Sequence, residues 1–227
     1  MLVREAEVVA EMLKSSLSGL PQKATIFNIG SSTSHFRTVV QPHIARLVFE
    51  PLEAQGHRIV HIDLKNEVGV DLCGDITDPA FQMKLQSLKP DLVICSNILE
   101  HVADVSGFCR ALNVLGRQAQ LLITCPRRYP YHPDPIDNGF RPDALEIAEK
   151  FPNHRLVTQE HAVGEKLKDR LKGWSLIQKA KFFAATFKGS IRSRRGRQDA
   201  AAAKSLPGIL MFWNSPFTAT VALLAPK

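Results

Sequence analysis

Aromatic residues are scarce in this 227-residue chain, at 7% with two Trp and two Tyr, and there are only four cysteines. Cys73, Cys95, Cys109 and Cys125 never fall at CxxC spacing, so neither a zinc site nor a disulfide framework is expected, and a reducing, cytoplasmic setting fits. No apolar run approaches the roughly 20 residues that a membrane-spanning helix needs. The opening stretch, MLVREAEVVAEMLKSS, carries acids among its apolar residues and does not read as a secretory leader. With 44% hydrophobic and 22% charged residues, disorder, a collagen-like fibre and an integral membrane protein are excluded as descriptions of the whole chain. A single α/β core is within reach of this length.

The net charge of +7 is unevenly spread. Residues 165–207 hold seven Lys and five Arg against Glu165, Asp169 and Asp199, which leaves the rest of the chain slightly acidic. Within 166–188, Leu167, Leu171, Trp174, Ile177, Ala180, Ala184 and Phe187 recur at helical steps, with most of the lysines between them. A basic amphipathic helix of this kind either packs on its own domain or lies on an anionic membrane surface. The run SIRSRRGRQ (190–198) adds an anion-attracting loop. Residues 165–207 therefore read as a basic insertion before the last strand of one domain spanning 1–227, with 166–197 as the candidate contact with an inner membrane surface. Nucleic acid is disfavoured as a partner, because aromatics are few and no RNA-reading motif is present.

Along the chain, apolar positions at helical spacing predict a helix over 4–18, ended by Gly19 and Pro21. TIFNIG (25–30), RIVHIDL (58–64), a short strand in GVDLCGD (69–75), DLVICSN (91–97) and QLLITCP (120–126) read as strands with apolar interiors. Helices are expected over 44–55, from the Asp78-Pro79 start to Leu88, and over 106–115. This alternation implies a parallel sheet covered on both faces, whose ligand crevice lies beyond the carboxyl ends of the strands. RLVTQEH (155–161) and FTATVALLAP (217–226) are later strands.

The polar clusters fall at those strand ends. Gly30 lets backbone approach a ligand, and the amides after it can face an anion. The turn lacks the three glycines of a dinucleotide fingerprint, which argues against nicotinamide and flavin cofactors. Asp63 can accept from the two hydroxyls of a ribose, or stand as a turn carboxylate, and Asp75 can accept from an adenine amino group, or cap a turn. Asn97 and the Glu100–His101 pair follow an apolar strand directly. Downstream, five prolines and a glycine make CPRRYPYHPDPIDNGFRP a structured loop, in which His132, Asp134, Asp137 and Arg141 are expected to converge before an amphipathic helix bearing Leu145, Ile147 and Ala148. His132 is the candidate general base, with Asp134 or Asp137 orienting it, and Arg141 completes the set; the same residues could instead only knit the loop to the sheet. A metal held by His132, Asp134 and Asp137 is disfavoured on the types of ligand, so no metal is expected.

In order, IFNIGSS, RIVHIDL, VDLCGDITD and DLVICSNILEHV resemble the class I S-adenosylmethionine-dependent methyltransferases, and most of all the type 11 and type 23 group, which includes members of glycan and surface-polysaccharide biosynthesis. The likeness spans residues 24–160, with FTATVALLAP similar to the family's antiparallel last strand. It implies a Rossmann-like, doubly wound, mostly parallel seven-stranded sheet, S-adenosyl-L-methionine as cofactor, and a small-molecule or glycan-type acceptor. It further implies contacts to the methionine part from Gly30 and Ser31, to ribose from Asp63 and to adenine from Asp75 and Ile76. Asn97, Leu99 and His101 would lie beside the sulfonium. Where the family has an acid followed by GxGxG, this chain has Asn28-Ile29-Gly30-Ser31-Ser32, with Asn28 at the acidic position. A scaffold that has lost catalysis and binds a membrane or a partner is the alternative reading.

Overall fold

The helix α1 (Val3–Leu17) buries Val8, Val9, Met12 and Leu13 along one stripe, as its spacing predicts, and the same stripe carries an acid, Glu5, only 1% exposed. A computed structural model describes residues 1–130, 132, 136–181, 184 and 213–227 of the chain. Strands β1 (Thr25–Ile29), β2 (Arg58–Asp63), β3 (Leu72–Cys73), β4 (Leu92–Ser96), β5 (Gln120–Arg128), β6 (His154–Lys166) and β7 (Pro216–Pro226) form one seven-stranded sheet in the order β3-β2-β1-β4-β5-β7-β6. The pairings from β3 through to β5 are parallel, and β7 runs antiparallel to both β5 and β6.

Apolar residues on both faces of the central strands are buried under two helical layers. Ile26, Leu92, Ile94 and Leu122 face α1 and the coil that carries Ile44, Val48, Phe49 and Leu52. Phe27, Ile29, Val93, Cys95, Leu121 and Ile123 face the other layer, built from α4 (Pro79–Ser87), α5 (Val105–Leu115) and α6 (Ala144–Glu149). Asp78 caps α4 by accepting from the Phe81 amide at 2.8 Å, with Pro79 at the first helical position, where its missing N–H costs nothing.

Three expectations are corrected. The helix foreseen over 44–55 begins earlier and is irregular: wide π-type turns at Phe36–Val40 and Ala45–Phe49 flank α2 (Pro42–Ile44) and lead into α3 (Glu50–Ala54). Pro42 has no N–H to donate backwards, so the ladder widens around it. In α6 the buried face is Ala144 and Ile147, while Leu145 is 63% exposed. The basic helix foreseen over 166–188 is interrupted: α7 (Leu167–Arg170) buries Leu167 and Leu171 against Phe217, and Gly173 at φ +80° turns the chain away. Beyond it Leu176 and Ile177 are exposed. The arginine run 190–198 lies outside the described residues. No helix among the described residues is long and apolar enough to cross a membrane.

Candidate functional site

At the mouth of β1 the chain turns on Gly30, with φ +69°, followed by Ser32 at φ +54°. A Cβ on Gly30 would stand 2.2 Å from Ile98 Cδ1, so the bare face of this glycine is covered by the tip of a side chain from the β4 loop. The amides after β1 are engaged within the protein: Gly30 and Ser31 N–H donate to the Ile62 carbonyl at 2.8 and 3.1 Å, and Ser32 N–H donates to Asp63 Oδ2 at 2.7 Å. The other Asp63 oxygen accepts from Lys65 N–H at 3.0 Å. Among the described residues each Asp63 oxygen accepts one N–H, which leaves an open lone pair at each.

Beneath this turn lies Arg37, which is 6% exposed. It donates to the carbonyls of Ser31 (2.9 Å), Ser32 (2.7 Å) and Gly69 (2.7 Å), and so ties the β1 turn to the connection before β3. Burial lowers its guanidinium pKa somewhat. Asn28 sits opposite His61 in the β1–β2 register and donates to its Nδ1 at 3.0 Å. Burial and the nearby Arg37 cation push the His61 imidazole down to about 4, so it is neutral and can accept that bond. Asp75 is exposed and accepts from the Thr77 amide and hydroxyl, while Ile76 is buried in the core next to it.

At the end of β4, Asn97 adopts φ +53° and its amide donates to Glu5 Oε1 at 2.7 Å. Thr124 Oγ1 donates to the same oxygen at 2.6 Å, and Leu2 N–H donates to Oε2 at 3.0 Å. The Asn97 side chain is therefore turned toward α1, and Leu99 is fully buried in the core. Ser96 Oγ is buried without a hydrogen-bond partner among the described residues.

Next along the chain, Glu100 has no exposed surface, and neither carboxylate oxygen has a hydrogen-bond partner among the described residues. Burial pushes its carboxyl up to about 7, against the opposing pull of its own backbone amide, then of Arg141 and His132. His101 Nδ1 donates to the Ile136 carbonyl at 2.5 Å, and its Nε2 stands 3.7 Å from Glu100 Oε1.

The proline-rich loop lies over this turn. Asn138 pins it, donating from Nδ2 to the Leu99 and Val102 carbonyls at 2.8 and 2.7 Å and from its backbone to the Glu100 carbonyl at 2.9 Å. Asp137 is the hub of the loop: its Oδ2 accepts from Arg141 Nη2 at 2.6 Å and His132 N–H at 2.9 Å, and lies 3.3 Å from His132 Nδ1. Burial alone would raise the Asp137 carboxyl, but the hydrogen bonds from His132 and Arg141 outweigh it and hold it well below the usual carboxylate range. His132 Nδ1 also donates to the Pro130 carbonyl at 3.1 Å. The His132 ring stands edge-on to His101 (5.0 Å between centroids) and to Tyr129 (4.9 Å), and Tyr129 OH accepts from Arg170 of α7 at 3.1 Å.

His132, Asp137 and Arg141 are thus brought together, beside His101; Asp134 lies outside the described residues. Gly30, Ser31 and Asp63 share the mouth of β1 and β2. Glu5, Arg37 and Ile98 were not foreseen. The signal for Glu5 was an acid on an otherwise apolar helix stripe, and Glu100, noted only for its pairing with His101, was marked by its place after a buried strand.

The chain matches no family model and no curated protein in sequence. Solved structures do share its architecture. The (4+2)-cyclase SpnF aligns with a TM-score of 0.52 at 17% identity, covering 99% of this chain and 80% of that one. The MccD protein aligns at 0.51 and 14%, covering 97% of each chain. The CurJ carbon methyltransferase aligns at 0.50 and 9%, covering 98% of this chain and 54% of that one. One of these names a cyclisation, so the shared architecture does not by itself specify a reaction. In strand order, in its one reversed strand and in these neighbours, the chain has the fold of the class I S-adenosylmethionine-dependent methyltransferases.

Proposed function

We propose that this protein is an S-adenosylmethionine-dependent methyltransferase acting on a small-molecule or glycan-type acceptor that presents a hydroxyl. The observation that carries this is the placing of Asp63 at the carboxyl end of β2 beside the Gly30 turn of β1, in a sheet of order β3-β2-β1-β4-β5-β7-β6.

The residues at this mouth fit the cofactor. Among the described residues, Asp63 keeps a free lone pair on each oxygen for the ribose hydroxyls, and Ser96 Oγ is a buried polar atom with no partner. The atoms nearest the bare face of Gly30 belong to the Ile98 side chain, which can rotate, so admitting the methionine part requires Ile98 to swing aside. Asp63 would hold the ribose, Asp75 and Ile76 the adenine, and Gly30 and Ser31 the methionine end. When bound, the cofactor supplies a methyl carbon already activated by a sulfonium.

What remains for the protein is to align the acceptor and remove its proton. With Nδ1–H directed at the Pro130 carbonyl and Asp137, His132 carries its lone pair on Nε2. There it takes the proton of an acceptor hydroxyl as that oxygen attacks. Asp137, kept ionised by Arg141, fixes the tautomer and favours the imidazolium that results. Peripheral contact of 166–197 with an anionic membrane is a further part of the proposal; it rests on the charge of the segment and is tested by liposome co-sedimentation at low and high salt.

Calorimetric titration with S-adenosylhomocysteine tests the cofactor assignment. Binding at one site is expected, with Asp63→Ala at least about ten-fold weaker, the scale of a hydrogen bond to a charged group. No heat at millimolar ligand would leave the scaffold alternative standing instead.

A further inference from the structure

We propose that Glu100, His101 and His132 form a binding site for a divalent transition-metal ion of the zinc class. Each residue offers one ligand atom, and the three atoms lie within 4.8 Å of one another. The Glu100 carboxylate is fully buried, has no hydrogen-bond partner at either oxygen among the described residues, and faces His101 Nε2 at 3.7 Å. Leaving a buried carboxylate unpaired is costly, and a cation is what such a group calls for. In a tetrahedral site with bonds near 2.0–2.1 Å the ligand atoms stand about 3.3 Å apart, so a small closing movement brings these into range.

The tautomers agree with this. A carbonyl oxygen can only accept, so the Ile136 carbonyl fixes the proton of His101 on Nδ1, and the Pro130 carbonyl does the same for His132. Both lone pairs are then on Nε2. Metal-ligating histidines are commonly held by a carbonyl or carboxylate on the opposite nitrogen, and Asp137 at 3.3 Å from His132 Nδ1 adds the carboxylate. Two imidazoles and one carboxylate suit zinc, cobalt or iron in the divalent state, and three protein ligands leave a coordination position open. The His101 and His132 side chains are 18% and 34% exposed, which gives an ion a way in. This set differs from His132, Asp134 and Asp137, the grouping that the sequence brings to mind. The open position would take water or, on the methyltransferase reading above, the acceptor oxygen, in place of its direct contact with His132 Nε2; the binding of the ion does not depend on that reading.

The test uses tag-free full-length protein treated with chelator, titrated with Zn²⁺ by calorimetry and with Co²⁺ by visible absorption. One ion per chain and an intense cobalt spectrum are expected, with His101→Ala, His132→Ala and Glu100→Gln each at least about ten-fold weaker, a floor set by what loss of a mere supporting contact costs. Cys73→Ser and His161→Ala, exposed and remote in the fold, leave binding unchanged. Thermal unfolding supplies the second readout: Zn²⁺ raises the midpoint of the wild type and not that of Glu100→Gln. Absence of binding at millimolar ion, or equal binding by His101→Ala and Glu100→Gln, overturns the proposal. S-adenosylhomocysteine titrated in parallel separates the two assignments, since ion binding without nucleoside binding sinks only the methyltransferase reading, and the reverse sinks only the metal site.

Discussion

Two glutamates are buried around the carboxyl end of β4, and their surroundings are opposite. Glu5, from α1, receives Asn97, Thr124 and the Leu2 amide, and so its charge is distributed over three donors. Glu100, from the turn itself, receives none from the described residues, and Glu5 adds to the forces that raise its carboxyl toward neutrality. The contrast extends to the regions around them. On the β1–β2 side, Asp63, Arg37, Asn28 and His61 hold one another and the nearby backbone in place. Under the proline-rich loop, the Glu100 oxygens have no hydrogen-bond partner among the described residues, and ligand atoms of Glu100, His101 and His132 lie within 4.8 Å of one another. The first pattern builds a frame, and the second is what the proposed ion and acceptor would use.

The sharpest way to break this comparison is to remove each glutamate in turn. Glu5→Ala strands three donors in a buried place and should cost about 3 kcal/mol or more in urea unfolding. Glu100→Gln, in metal-free protein, should be neutral or slightly stabilising, because it removes the desolvation cost of a carboxyl that no hydrogen bond from the described residues holds. Equal losses in the two variants would erase the distinction.

Acid should act on the framed side. His61 is depressed to about 4 by burial and Arg37, with Asp71 opposing, whereas in the unfolded chain an imidazole titrates near 6.5. Between those values the unfolded state binds more protons, so this group's contribution is whole above about pH 6.5 and fades as the pH falls toward 4. The loss amounts to about 3 kcal/mol at most. Denaturant unfolding at pH 7 and pH 4.5 measures it, and His61→Phe should flatten the difference between the two.

Smaller effects are expected at the plug. Ile98→Ala uncovers Gly30 and should tighten S-adenosylhomocysteine several-fold, and Ile98→Phe should weaken it, by the scale of one or two methylene contacts. His132→Ala should slow methyl transfer by about 10²–10⁴-fold while leaving nucleoside affinity nearly unchanged, if an imidazole removes the acceptor proton.

Much of this frame was legible in the sequence because it is local. The strands from TIFNIG to QLLITCP end within a residue or two of where apolar runs give way to polar ones, and Asp78-Pro79 marks the start of α4 by cap chemistry alone. The gathering of His132, Asp137 and Arg141 could also be read, since a short loop rich in proline keeps neighbours together. What could not be read depends on distant pairings. Glu5 meets Asn97 and Thr124 across 92 and 119 positions, and nothing near Asn97 reveals that its amide turns to α1. The break in the basic segment came from Gly173, where helical spacing continues past a residue that leaves the helical conformation. Leu145 shows the same limit, because the turn of Asp143 that caps α6 sets which face meets the core.

The most direct test of the central claim is a crystal structure of the protein with S-adenosylhomocysteine. The ribose hydroxyls should lie on Asp63, with the Ile98 side chain rotated off Gly30 and the sulfur facing the end of β4. A nucleoside lodged instead in the cavity of about 500 Å³ between α4 and α5, lined by Gln82, Asp104, Phe108 and Arg110, with Ile98 still in place over Gly30, would contradict it.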